Sequence, residues 1–226
     1  MFARTLVAVA ITAVTQPALA NVIVDWDLNG TPGNQDFTSA NFAATGLTGL
    51  NLSRGPSLTA SGAGNSFSAS GWNVGEYFEF GFTVADGLSV DVQELFIGTR
   101  SSGTGPGSLG LFYSGDNFTG NLFDFNQAPG ANFVNSAIDL TSLTGLTGSV
   151  IFRIVNLNNV AANGGSVGSG GTFRVTAYFE NGLFNQNLGF TGDVHQLAAP
   201  VPVPAAVWLL GSALAGMAAT RRDRQA

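Results

Sequence analysis

Apolar and polar residues alternate along the middle of the chain. In Glu76–Val84, EYFEFGFTV, the side chains of Phe78, Phe80, Phe82 and Val84 fall on one face, with Tyr77, Glu79 and Thr83 on the other. In Ser149–Asn156, Val150, Phe152 and Ile154 share a face and Arg153 points the opposite way. A period of two is the period of a strand, because successive side chains leave the backbone on opposite sides. Val22–Leu28, Leu47–Ser53, Leu88–Gly98 and Ser108–Ser114 read as further strands, and clusters of Gly, Asn and Ser punctuate them. No long window between residues 21 and 196 carries an apolar stripe at helical spacing. Short strands with frequent turns predict a sandwich or barrel.

The sharpest turn is Asn181-Gly182, a type I′ pair in which both central residues need positive φ. A two-residue loop there sets Phe179 opposite Phe184, Val175 opposite Leu188 and Phe173 opposite Phe190. Apolar cross-strand pairs of this kind contribute roughly 0.2–1 kcal/mol each. The glycine-rich stretches Gly62–Asn65, Ser101–Gly107 and Asn163–Gly171 read as mobile surface loops. Residues 21–196 are thus expected to form one domain, with a core of phenylalanine and aliphatics.

The two ends read as addresses. Residues 1–20 carry Arg4, an apolar run from Leu6 to Val14, and small Ala18 and Ala20 where signal peptidase requires them before Asn21. The run is too short to span a bilayer, so a signal helix removed ahead of Asn21 is expected. At the other end, Val201 to Thr220 is uncharged and Arg221, Arg222 and Arg224 follow. A helix of about 20 apolar residues matches a hydrocarbon core of about 30 Å, and the arginines would stay cytoplasmic. The fold class expected for the whole chain is therefore all-β, an antiparallel β-sandwich of jelly-roll type, with an N-terminal signal helix and a C-terminal transmembrane helix. Residues 197–226 would supply the linker, a Pro-Ala motif, the helix and the basic end.

Val201-Pro202-Val203-Pro204-Ala205-Ala206, then Val207–Leu214, then the arginines, resembles a PEP-CTERM sorting signal. More narrowly it is similar to the VPLPA-type variant, with Val203 where Leu is common, and it covers about the last 26 residues. The resemblance implies an exosortase-type transpeptidase as partner beside signal peptidase, and transient residence in the inner membrane. It also implies cleavage near the Pro-Ala motif, and release or attachment at the surface of a bacterium that makes exopolysaccharide. A second resemblance rests on Glu94-Leu95-Phe96, Arg100-Ser101-Ser102, Thr104-Gly105-Pro106, Phe152-Arg153-Ile154 and the closing hairpin. Their order is similar to domains often carried by such proteins, expected to be jelly-roll sandwiches like carbohydrate-binding modules. The shared positions are structural, so they imply a fold and not a ligand.

Composition acts by exclusion. Charged residues are 10% of the chain, fourteen acids against eight arginines and no lysine, for a net charge of −6. Residues 21–196 carry thirteen acids against Arg54, Arg100, Arg153 and Arg174, a net −9. Such a body excludes a nucleic-acid binder. With no cysteine, a disulfide scaffold and a thiolate metal site are excluded as well.

Candidate chemistry is sparse. His195 stands alone beside the C-terminal segment. Gly164-Gly165-Ser166-Val167-Gly168 fits G-x-S-x-G without the strand and helix that a nucleophile elbow needs. Glu76 and Glu79 lie three apart on a strand and face opposite ways, as do Asp91 and Glu94, so neither pair can flank one glycosidic bond. No catalytic residue is assigned and the chain is read as not an enzyme. Asp25, Asp27, Asn29 and Asp36 match a calcium loop, D-x-D-x-N-G with a distal acid, and are candidate Ca2+ ligands. Asp36 replaces the usual Glu, Pro32 intervenes and a strand precedes; these departures favour an edge strand entering an Asn-Gly turn, with no cofactor. For sugar contact the candidates are Trp72, Tyr113 and Tyr178, because an aromatic face packs on a sugar's apolar face.

The reading is an exported cell-surface or biofilm-matrix protein, anchored in the inner membrane through its C-terminal helix and then sorted outward. Its role is non-enzymatic, structural or polysaccharide-associating. The alternatives are a carbohydrate-binding module proper, and a hydrolase or lyase acting on exopolysaccharide.

Overall fold

The computed structural model describes residues 21–129 and 132–198. Two antiparallel sheets carry almost every strand. The first runs β2 (Phe42–Ala43), β1 (Val22–Trp26), β16 (Leu188–Gln196), β8 (Leu88–Ser101), β13 (Phe173–Thr176), β6 (Phe67–Ser70) and β5 (Thr59–Ala60), with β11 (Val134–Asp139) also paired to β8. The second runs β10 (Phe123–Asn126), β9 (Ser108–Tyr113), β12 (Ser149–Asn156), β7 (Tyr77–Val84) and β3 (Leu47–Gly49), with β4 (Ser53–Arg54) also on β7. A separate ribbon pairs β14 (Tyr178–Glu180) with β15 (Leu183–Gln186). Contacts divide the chain into Met1–His195 and Gln196–Ala226; of the second unit the described residues are 196–198.

The alternation in β7 and β12 builds the core. Phe78, Phe80, Phe82, Val84, Val150, Phe152 and Ile154 are all buried, and Phe152 pairs in register with Phe80. On the outer face Arg153 pairs with Glu79 at 2.7 Å. Rings from the first sheet meet those of the second: Phe190 lies 4.6 Å from Phe152 and 5.6 Å from Phe80, and Phe173 lies 5.8 Å from Phe78. Trp26 crosses Phe80 edge-on at 5.5 Å and donates its indole N–H to the Leu50 carbonyl. Edge-to-face and offset pairs are the arrangements that the ring quadrupole favours. Full burial of such side chains stabilises by roughly 1.5–3 kcal/mol each.

The closing hairpin departs from the expected register. Asn181 and Gly182 do take positive φ, 51° and 79°, and Phe179 does face Phe184. The ladder ends after Tyr178↔Gln186, and the arms then separate. Val175 pairs with Phe67 and Thr99, while Leu188 pairs with Trp26, so Val175 and Leu188 do not face one another, nor do Phe173 and Phe190. The reason lies in β8. Residues 134–146 fill one of its edges: β11 pairs from Thr99 to Glu94, and the amides of Val92 and Val90 bond Leu143 and Leu146. β13 and β16 therefore share the other edge in succession, β13 against Gly98–Ser101 and β16 where Gly192 backs onto Asp91. The chain between them leaves the sheet as the β14–β15 ribbon.

The loops Ser101–Gly107 and Asn163–Gly171, expected to be mobile, are stitched together with the flanking Ala162 and Thr172. Ala162, Asn163 and Gly168 donate to the carbonyls of Gly105, Gly103 and Thr104, and Ser102 donates to Thr172. A Cβ on Gly171 would lie 2.0 Å from the Thr104 oxygen, so the close approach depends on glycine.

The helical part of the expected fold is corrected. Among the described residues the one helical segment is a 3-10 turn, Ser114–Asp116, and no helix is long and apolar enough to cross a membrane. The expected signal helix, its cleavage at Ala18, Ala20 and Asn21 apart from Asn21 itself, the Val201–Ala206 motif, the transmembrane helix and Arg221, Arg222 and Arg224 lie outside the described residues. The supported class is an all-β antiparallel sandwich, and the membrane-anchored location does not carry into the functional reading.

Candidate functional site

Where the ribbon leaves the first sheet, a cavity of about 640 Å³ opens between it and two turns. The ribbon supplies Phe179 and Phe184, whose rings meet edge-on at 5.9 Å. Phe184 is 59% exposed, although it is a large apolar ring. Thr176 and Ala177, at the end of β13, form the floor. The opposite wall comes from Asp27 and Asn29, just after β1, and from Asn65, just before β6. Asn187 closes the end where the chain re-enters the sheet.

The polar wall is held by its own hydrogen bonds. Asp27 Oδ1 accepts the Asn29 amide at 2.8 Å, an Asx turn, and Asn65 Oδ1 accepts the Gly30 amide at 2.8 Å. Asn65 takes positive φ, 56°, which asparagine tolerates better than most residues. The Thr176 hydroxyl donates to the Asn65 carbonyl at 2.6 Å, and Asn187 Nδ2 donates to Asp25 Oδ1 at 3.2 Å. Asp27 Oδ2, the Asn65 amide nitrogen and Asn187 Oδ1 remain without a partner among the described residues. The residues that line the groove thus include two acceptors and a donor with no internal partner, beside two aromatic rings.

Behind this wall lies Arg54. Its guanidinium donates to the carbonyls of Gly33 (2.8 Å), Gln35 (2.6 Å) and Ser68 (2.7 Å), and sits 3.8 Å over the Phe67 ring. Burial lowers its pKa to about 10, with Asp36 opposing the shift, so the cation persists at neutral pH. It ties the loop after Asn29 to β6.

The candidate calcium ligands find separate partners. Asp25 Oδ1 accepts from Asn41 and Asn187, Asp27 accepts from Asn29, and Asp36 lies beside Arg54. Among the described residues no three acids or histidines converge to hold a metal ion. Of the aromatic candidates, Trp72 is 2% exposed and packs on Phe78 and Phe173 with its N–H on the Ala69 carbonyl, so no face of it reaches a surface ligand. Tyr113 is half-buried on Phe152, and burial, then Asp116, raises its pKa. Tyr178 packs edge-on against Phe96 at 5.2 Å, on the ribbon face turned from the groove. Its neighbour Phe179 lines the cavity instead. The sequence sets Phe179 opposite Phe184 across the turn, and that pairing does not distinguish rings that line a groove from rings that enter the core.

His195 meets Asp91 at 3.1 Å on the surface, away from any nucleophile, and Ser166 lies in a loop between Val160 and Thr172. The groove is lined by one carboxylate, Asp27, with no second acid and no histidine among its lining residues.

No family model and no curated protein matches this chain. Among solved structures it is similar to a mutant of CBM29-2, a family 29 carbohydrate-binding module complexed with mannohexaose. The identity is 12% over 79% of this chain and 92% of that one, with a TM-score of 0.37.

Proposed function

We propose that this is an exported, non-enzymatic, polysaccharide-associating protein, and that the groove between the ribbon and the Asp27–Asn29 turn takes a glycan chain. One observation carries the reading: two phenylalanine rings, one of them largely exposed, line a cavity of about 640 Å³ together with Asp27, Asn29, Asn65 and Asn187. Rings of this kind cover the apolar face of a sugar, while carboxylate and amide groups bond its hydroxyls. Export rests on the signature of residues 1–20, and sorting by an exosortase-type enzyme rests on the 201–224 resemblance, both from sequence alone.

The test is binding of the full chain to soluble mannan, glucan, xylan and galactan by affinity electrophoresis, with Phe179→Ala and Phe184→Ala as variants. Loss of a central aromatic anchor should weaken binding by about tenfold or more. Phe184→Ala should leave the melting temperature nearly unchanged, since the ring is exposed. Retention by none of the four polymers, or binding indifferent to both truncations, would refute the reading.

A further inference from the structure

The groove is charged with one sign only. Among the described residues that line it, Asp27 is the one ionisable side chain, beside Asn29, Asn65, Asn187, Phe179 and Phe184. Asp27 is exposed; its Oδ1 accepts the Asn29 amide, and its Oδ2 has no partner among the described residues. No arginine lines the cavity, and the chain has no lysine. Arg54 commits its guanidinium to the carbonyls of Gly33, Gln35 and Ser68. Arg174, two positions before Thr176 on β13, has its guanidinium 5.9 Å from the Phe133 ring. Residues 21–196 carry a net −9, so the field around the domain attracts cations and repels anions. An accessible carboxylate beside aromatic rings is an arrangement that holds an ammonium group. The carboxylate pairs with its charge, and a ring face attracts it within about 6 Å.

We infer that the groove selects a glycan bearing free amino groups, a de-N-acetylated hexosamine chain, and that Asp27 determines this preference. The inference rests on the groove reading and names the class of sugar taken there. The two phenylalanine rings supply apolar contact, and an ammonium on the sugar gains from Asp27 and from the ring faces together. The amides of Asn29, Asn65 and Asn187 favour a sugar over a lysine side chain, because they can bond hydroxyls and a methylene stem offers none. A uronic acid unit brings a second negative charge to Asp27 and is disfavoured. Asp27 is open to solvent and its ion pair is screened, so the expected preference for the amine is about three- to tenfold. Asp27→Asn removes the charge and keeps an Oδ1 for the Asn29 amide, so the turn survives.

The experiment titrates the full chain calorimetrically with a glucosamine oligomer and with its N-acetylated counterpart of equal length. A buffer of about pH 5.5 lies between the ordinary carboxylate and amine ranges. In low salt the amine form should bind about three- to tenfold tighter than the neutral form, and high salt should close the gap. Asp27→Asn should abolish the preference and leave affinity for the N-acetylated oligomer unchanged. Asp86→Asn removes the same charge from the turn after β7, outside the groove, and should leave the preference intact. Phe184→Ala should weaken both oligomers, the amine form by more, and it serves as the test if Asp27→Asn loses its melting transition. Equal affinity for the two oligomers overturns the amine selectivity alone, as does a preference that survives Asp27→Asn or is lost with Asp86→Asn. A lysine peptide that binds as tightly as the glucosamine oligomer overturns the assignment to a sugar. Binding to neither oligomer also overturns the selectivity, and the groove reading falls with it only if mannan, glucan, xylan and galactan fail as well.

Discussion

Replacing Asn181-Gly182 with Ala-Ala separates two readings of the hairpin. Both residues take positive φ, 51° and 79°. An alanine held there costs about 1–2 kcal/mol, so the double substitution adds about 2–3 kcal/mol to the ribbon, Asn being partly tolerant already. Against this the ribbon has three cross-strand pairs, at roughly 0.2–1 kcal/mol each, and one edge-on ring contact. The two sides are comparable, so the ribbon should open. The core should not follow, because β13 and β16 are held by β8, β6 and β1 and not by each other. Hydrogen exchange should show lost protection over residues 178–186, with a melting temperature shifted by less than about 2 °C. In a domain of this size a global loss of 1 kcal/mol would move it by about 2–4 °C. A fall beyond about 5 °C would mean that the arms pair through the core as a continuous hairpin, and the excursion would be wrong. Unchanged protection would show that the turn strain is not what sets the ribbon's stability.

Two substitutions probe what holds the rest. Phe190→Ala removes the ring that touches Trp26, Phe80, Phe82 and Phe152, and should cost about 3–5 kcal/mol in denaturant unfolding; a loss under about 1 kcal/mol would deny that these rings form one close-packed core. Arg54→Met removes the guanidinium bonds to the carbonyls of Gly33, Gln35 and Ser68, leaves Gly33 and Ser68 with the backbone donors Ser68 and Ser61, and should destabilise by about 1–3 kcal/mol, with Arg54→Lys rescuing little because a point charge cannot reproduce the fork. An unchanged midpoint for Arg54→Met would show that relief of the buried cation offsets the lost bonds.

The strands with bulky alternation were legible in the sequence, and the others were not. β7 and β12 announce themselves because Phe78, Phe80, Phe82, Phe152 and Ile154 are large and evenly spaced. β6 reads Phe-Ser-Ala-Ser, whose buried Ser68 and half-buried Ser70 carry no hydrophobic signal, and its place between β13 and β5 comes only from pairing. The break in the hairpin was hidden for a related reason. No glycine or proline marks Ala177 or Asn187, so the apolar pattern runs on smoothly from one arm into the next. What divides it is competition: an open edge of β8 is available to both arms, and residues of β13 and β16 gain neighbours there that they could not gain from each other. The candidate site was half visible. Asp27 and Asn29 stood out for their spacing, but for a metal, since oxygen-bearing residues at alternate positions serve an Asx turn as well as a cation. Asn65 lay in a stretch read only as a loop, and its role comes from the Thr176 and Gly30 bonds that the fold supplies.

The two sides of the groove are built differently, and under the proposed function this would divide the work of binding between them. The polar wall is stapled: Thr31 donates to Leu28 and Ser66, Gly30 to Asn65, and Arg54 to Gly33 and Gln35. Donors and acceptors fixed in this way discriminate by position, because a misplaced hydroxyl leaves one of them unpaired. The ribbon wall has fewer ties, a Phe179 amide on Asn135 at 3.3 Å and Tyr178 on Phe96. Its contribution is ring area, which is insensitive to the orientation of individual hydroxyls. Because Phe179 and Phe184 already touch, little side-chain freedom is left for a ligand to remove, and that lowers the entropic cost of contact. Substitutions on the polar wall should therefore change which sugar is held, and truncations on the ribbon how tightly any sugar is held.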